Sequence, residues 1–120
     1  MMKQDNIVQQ KSYAFAVRMV KLYQHLSAEK KEYVLSKQLL RCGTSIGANI
    51  EEALGGQSEK DFFAKLTISY KEAREAKYWI NLLTDTDYLT PPQSASLLQD
   101  IEELLKIIGT ILKTLRAKNS

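Results

Sequence analysis

Four features of the chain invite a search for chemistry: a single histidine, a single cysteine, adjacent carboxylates beside an asparagine, and bases recurring at helical intervals. His25 is the sole imidazole, and the residue three before it is Leu22. A paired-metal centre in a helical bundle needs two Glu-x-x-His motifs and further glutamates. The chain cannot supply that set, and no metal or other cofactor is expected. Cys42 has no neighbouring base to turn its thiol into a nucleophile. It lies on an apolar stripe with Leu35, Leu39, Ile46 and Ala53, the setting of a small buried hydrophobe. Gly55-Gly56 lacks the following lysine and preceding strand of a phosphate-binding loop. Glu51 and Glu52 follow Asn49 closely enough for acid–base work, but nothing completes a site around them. The expected partner of Glu52 is a base such as Arg41, Lys60 or Arg74. The chain is therefore read as non-enzymatic.

What remains is electrostatic. From residue 6 to residue 27 there is no acid, while Lys11, Arg18 and Lys21 share one helical face at spacings of seven and three. Lys113, Arg116 and Lys118 stand near the end of the chain, and Lys71, Arg74 and Lys77 occupy the run KEAREAK. In an up-down bundle the first helix runs antiparallel beside the fourth. Lys3 and Lys11 are then expected to approach Lys113, Arg116 and Lys118, forming a basic strip for phosphates, with Lys71, Arg74 and Lys77 as a second set. The net charge is +3. That balance permits nucleic-acid binding without demanding it. No base-reading element is visible, so such binding is expected to be sequence-independent and salt-sensitive.

The elements that must position these groups are helical. Phe15, Met19, Leu22 and Leu26 recur at three- and four-residue steps, as do Leu39, Cys42, Ile46, Asn49 and Ala53. Phe62, Leu66, Ser69, Ala73, Ala76, Ile80 and Leu83 form a heptad seam. Leu98, Ile101, Leu105, Ile108, Leu112 and Leu115 form the last stripe. Ser58 with Asp61 and Thr90-Pro91 with Gln93 read as helix starts, and Gly55-Gly56 as a left-handed helix end. The 120 residues give one all-α domain, an antiparallel up-down-up-down four-helix bundle, with helices at about 6–27, 32–54, 59–86 and 91–117.

Gly43 and Gly47, four apart inside helix two, each cost about 1 kcal/mol relative to alanine, which points to close approach of another backbone. Asn49 falls on an apolar stripe and needs partners; Ser69 and Ser45 are the candidates. Phe63, Tyr70 and Trp79 flank the third seam, and Ile107 and Ile111 lie off the fourth. These apolar flanks favour self-association. The same aromatics, with Tyr78, support a rival reading as a protein–protein adaptor without nucleic-acid binding. One cysteine suits a reducing cytoplasm. The N-terminus lacks a signal-peptide core, and no apolar run reaches the ~20 residues that cross a bilayer. A cytoplasmic protein without a membrane partner is expected.

The stretch from Ser36 to Leu83 is the most distinctive. Gln38-Leu39, Arg41, Ser45-Ile46, Asn49-Ile50, Glu52, Ser58, Asp61-Phe62, Lys71-Glu72, Glu75 and Tyr78-Trp79 carry the pattern. It resembles the four-helix-bundle family encoded by intervening sequences in bacterial 23S rRNA genes, also labelled S23 ribosomal protein. Its members are similar to the accessory variability protein of diversity-generating retroelements, a basic homopentameric barrel that binds nucleic acid and its reverse transcriptase. The resemblance implies an up-down bundle, a homo-oligomer with a pentamer favoured, and a link to RNA. Arg41, Asn49 and Glu52, which the resemblance shares, and the packing glycines Gly43 and Gly47 are expected to form a structural polar and packing motif on the second helix.

Overall fold

A computed structural model describes the backbone of residues 3–119 and the side chains of residues 7–119. Four helices follow one another: α1 (Lys3–Glu29), α2 (Leu35–Leu54), α3 (Glu59–Asp85) and α4 (Pro91–Lys118). Connections of a few residues force each helix to run back along its predecessor. The result is the all-α, up-down-up-down bundle that the hydrophobic periods predict, with overall dimensions of 47 × 21 × 21 Å.

The seams face inward. Phe15, Met19 and Leu26 from α1 meet Leu39, Cys42 and Ile46 from α2, Leu66, Ala73, Ala76 and Ile80 from α3, and Ile101, Leu104 and Ile108 from α4. Each large aliphatic or aromatic side chain buried here stabilises the fold by about 1.5–3 kcal/mol. The serines on the seams are all satisfied. Ser69 Oγ donates to the Ile46 carbonyl across the α2–α3 contact at 2.9 Å, and Thr84 Oγ1 donates to Ser94 Oγ at 2.9 Å. Asn49 takes Ser45, on its own helix: its amide donates to the Ser45 carbonyl and hydroxyl, both at 2.9 Å. Ser69 is thus not the partner of Asn49, because its hydroxyl is engaged by the backbone. Among the described residues, no buried side-chain nitrogen or oxygen lacks a partner.

Two ends differ from expectation. The helix start expected at residue 32 falls at Leu35, because Glu32 folds back as a cap. Its carboxylate accepts from the backbone N–H groups of Val34 and Leu35 at 3.2 Å and Ser36 at 2.7 Å. The left-handed turn expected at Gly55 is also absent; Gly55 has φ −88°. The left-handed positions are Lys31 (φ 57°) and Asp87 (φ 68°), which end α1 and α3. The N–H of Tyr88 reaches the Leu83 carbonyl at 2.9 Å, the wrapping pattern of a left-handed helix end, while that of Glu32 reaches one residue further back, to the Leu26 carbonyl at 3.0 Å. Gly56 is needed for space instead: a Cβ there would lie 3.1 Å from the Ala53 carbonyl oxygen. The starts of α3 and α4 follow the sequence. Ser58 accepts from the Asp61 N–H, and Thr90 and Gln93 complete a reciprocal capping box.

The flanks assigned to self-association are largely used within the chain. Ile111 is buried, and Phe63, Tyr70, Trp79 and Ile107 are partly buried against the core. Exposed large apolar side chains stand instead at Tyr33, Val34, Ile68 and Tyr78, and along α1, where Tyr13 is 70% exposed, Val17 38% and Val20 43%. The spacing of four and three puts the α1 residues on one outward stripe.

Candidate nucleic-acid interface

The bases of α1 and α4 do not form the single strip expected of them. α1 presents Lys11 and Arg18 to the acidic side of α4. Lys11 Nζ lies 3.0 Å from Glu103. Arg18 donates to Asp100 at 2.6 Å, to the Ser96 hydroxyl at 3.0 Å and to the Ser96 carbonyl at 3.3 Å. The cause is helical phase: Ser96, Asp100, Glu103 and Ile107, at steps of four, three and four, form the edge of α4 turned to α1. Lys106 and Arg116 instead line clefts with residues of α3, and Lys113 stands between them in sequence, seven residues after Lys106 and three before Arg116. Arg116 sits 5.5 Å over the ring of Phe63, on α3. Lys118 reaches Glu59, also on α3, at 2.8 Å. Lys118 and Asn119 together hold the Glu59 carboxyl below the usual carboxylate range. Lys21 is exposed and has no acidic partner among the described residues. Lys3 lies outside the residues whose side chains are described.

The two edges that do meet make a groove between α3 and α4. Its first part, about 520 Å³, is lined by Tyr70, Arg74, Lys77, Tyr78, Asn81, Glu102, Leu105 and Lys106. Its second, about 420 Å³, lies towards the start of α3 and is lined by Glu59, Lys60, Phe63, Leu115, Arg116 and Asn119. Between them Tyr70 lies against Gly109, whose missing side chain lets the ring settle; a Cβ there would be 3.3 Å from Tyr70 Cε1.

The linings contain five bases and two acids, an excess of three. That equals the whole chain's +3, since 17 − 5 = 12 bases and 14 − 2 = 12 acids remain elsewhere. Of the acids, Glu102 is taken by Lys77 at 2.5 Å and Glu59 by Lys118. Arg74, Lys106 and Lys60 have no acidic partner among the described residues, and Lys71 and Lys113, one turn or two away on the same helices, extend the cationic rim. Field lines concentrate over such a cleft and attract polyanions.

Of the bases singled out in the sequence, the structure therefore gathers Arg74, Lys77 and Arg116 in one groove, with Lys71, Lys113 and Lys118 beside it. It separates them from Lys11, Arg18 and Lys21. Lys106 escaped the sequence reading, although it stands seven residues before Lys113, and Lys60 was read only as a partner for Glu52.

The remaining polar motif ties α2 to its neighbours. Gly43 and Gly47 face Met19 and Ser12 of α1. Arg41 bridges Glu72, at 3.4 Å, and Glu75 on α3, and Glu75 also accepts from Trp79 Nε1 at 2.9 Å. Glu52 pairs with Lys65 at 3.4 Å, and not with Arg41, Lys60 or Arg74. Lys65 lies on the α2 side of α3, whereas Arg74 and Lys60 line the α3–α4 groove and Arg41 is held by Glu72 and Glu75. Cys42 is fully buried and its thiol is pushed up to about 12, first by burial and then by Glu75, so it carries no nucleophile near neutral pH. Among the described residues no group of three metal-ligating side chains occurs, and no helix is long and apolar enough to cross a membrane.

Residues 4–110 match the family described as 23S rRNA-intervening sequence protein. The chain is also similar to a protein of unknown function from the S23 ribosomal protein family of Bacteroides thetaiotaomicron, known from a crystal structure at 1.70 Å resolution. The two are 52% identical and superpose with a TM-score of 0.90, over 92% of this chain and 98% of that one. No curated protein matches the chain.

Proposed function

The chain belongs to the 23S rRNA-intervening sequence protein family, and from that premise we propose that it is a non-enzymatic cytoplasmic homo-oligomer that binds nucleic acid, RNA in preference to DNA, through the groove between α3 and α4. One observation carries the reading. The residues lining that groove carry an excess of three positive charges, equal to the net charge of the chain, while Lys11 and Arg18 on the other side of α4 are paired with Glu103 and Asp100. Phosphate neutralisation by such bases supplies sequence-independent affinity through release of counterions.

Self-association is supported by the outward stripe of Tyr13, Val17 and Val20 on α1, an apolar surface that water disfavours. A ring of five is the assembly favoured by the family's likeness to the retroelement accessory protein, and it would repeat the groove five times. The adaptor reading has less support, since Phe63, Tyr70 and Trp79 are partly buried and only Tyr78 among its four aromatics stands out in solvent.

A filter-binding titration of RNA at low and high salt tests the binding, with light scattering for the subunit count. Binding should weaken steeply with salt, and reversing Arg74 or Lys106 to glutamate should flatten the slope by ~0.7 or more for each phosphate no longer neutralised. Absence of binding at low salt, or affinity indifferent to salt, would overturn the proposal.

A further inference from the structure

Charge alone does not account for the groove, because two tyrosines line it between the bases. Tyr78 is 60% exposed, and its ring packs against one neighbour. It meets Trp79 edge-on, with centroids 5.1 Å apart and planes at 80°. Trp79 is held in turn by its Nε1–H donation to Glu75, which Arg41 grips from α2. Tyr70, eight residues earlier and so about 12 Å along the helix axis, is packed against Gly109 on the facing helix. Arg74 lies midway between them on α3, and Lys106 faces them from α4.

A supported, uncovered ring next to unpaired cations is the arrangement that binds an unpaired base and its phosphate. A duplex stacks its base faces against each other and offers only phosphates and groove edges, so it cannot use Tyr78. We propose that the α3–α4 groove is a site for single-stranded RNA, with phosphates on Arg74 and Lys106 and a base stacked on Tyr78. Asn81, with a donor and an acceptor in the same cleft, is the partner for a 2′-hydroxyl. This rests on the nucleic-acid reading above and narrows its ligand; the cleft's 520 Å³ suits a group of nucleotide size and not a double helix.

The test is fluorescence anisotropy with the full chain and a short, unstructured, labelled RNA, its blunt duplex, and a DNA strand of the same sequence. The single RNA strand should bind about tenfold tighter than the duplex. Tyr78→Ala should lose about tenfold, and Tyr78→Phe, which keeps the ring, should lose little. The sole tryptophan, Trp79, reports independently: its emission should change on adding the single strand and stay constant on adding the duplex. Circular dichroism confirms that each variant is folded, as expected for so exposed a side chain. Equal binding of the duplex, indifference to Tyr78→Ala, or equal loss in Tyr78→Phe overturns the single-strand site while Arg74 and Lys106 can still uphold the broader reading. DNA binding as tight as RNA overturns the role of Asn81. Failure of all three polymers to bind at low salt ends both proposals.

Discussion

Gly43 of α2 lies directly against the side chain of Met19 on α1: a methyl group on Gly43 would stand 2.5 Å from Met19 Cγ and 2.7 Å from its sulfur. Met19 is only 1% exposed, so it must repack within the core to make room. Gly43→Ala gains about 1 kcal/mol in helix propensity and loses about 1–3 kcal/mol to overpacking, leaving a net loss of up to about 2 kcal/mol. Met19→Ala alone should cost about 2–5 kcal/mol. In the double variant the new methyl enters the vacated space, so the loss should fall short of the sum by at least ~0.5 kcal/mol. Urea denaturation of the four proteins measures this, and strict additivity would show that the two residues do not touch in solution.

Glu32 should give stability a marked acid limb. It is nearly buried, at 8% exposure. Burial raises its pKa, but the N–H groups of Ser36, Leu35 and Val34 favour the carboxylate and outweigh it, leaving the carboxyl below its ordinary value of 4.5. A folded pKa below the unfolded one means that ionisation favours folding. The contribution is complete above about pH 4.5 and fades as pH falls through the folded value. Glu32→Gln, which keeps one acceptor oxygen without the charge, should be less stable by about 1–2 kcal/mol at neutral pH. That gap should close in acid. Denaturant midpoints of the two proteins across the acid range check it, and a pH-independent gap would contradict the mechanism.

The fold was legible because each helix writes its buried face at a regular period, and because Thr90-Pro91-x-Gln93 and Ser58-x-x-Asp61 are chemically explicit starts. The candidate site was legible only in part. Lys71, Arg74 and Lys77 could be read as one set on one helix. Whether Arg116 faces α1 or α3, however, depends on which edge of α4 turns which way, and period alone does not fix that rotation. The acids would have settled it: Asp100 and Glu103 share an edge that excludes Arg116, so opposite charges on α1 are the ones that dock there. The cap at Glu32 was hidden for another reason, since a buried glutamate turning back on its own backbone has the same sequence appearance as a solvated charge in Glu29-Lys30-Lys31-Glu32.

Cys42 is expected to be inert until the bundle opens. Its side chain is fully buried, and its thiol points at the Leu39 carbonyl at 3.6 Å. With a pKa near 12 the thiolate is vanishingly rare at neutral pH. A chromogenic disulfide reagent should therefore leave the native protein unmodified over minutes. It should react at a rate that rises with urea in step with the unfolding equilibrium. Prompt reaction without denaturant would mean that the α2–α3 contact opens far more readily than its packing implies.

The division of bases between matched and unmatched partners makes the sharpest test of where a polyanion would run. Lys11 and Arg18 face Glu103 and Asp100 at 3.0 and 2.6 Å, so a phosphate approaching them must displace a carboxylate already in place. Arg74 and Lys106 have no such competitor among the described residues. Lys11→Gln and Arg18→Gln should then leave RNA affinity within about twofold, while Arg74→Gln and Lys106→Gln should each lower the salt slope by ~0.7. Stability should respond in the other direction. Arg18→Gln breaks a half-exposed pair and should cost no more than about 1 kcal/mol, whereas Lys106→Gln breaks none. Asp100→Asn sharpens the comparison: removing the competing charge should free Arg18 to attract phosphate and strengthen binding at low salt. If Arg18→Gln instead weakens binding more than Lys106→Gln does, the path of the nucleic acid lies across α1 and α4, and the groove between α3 and α4 is not where it rests.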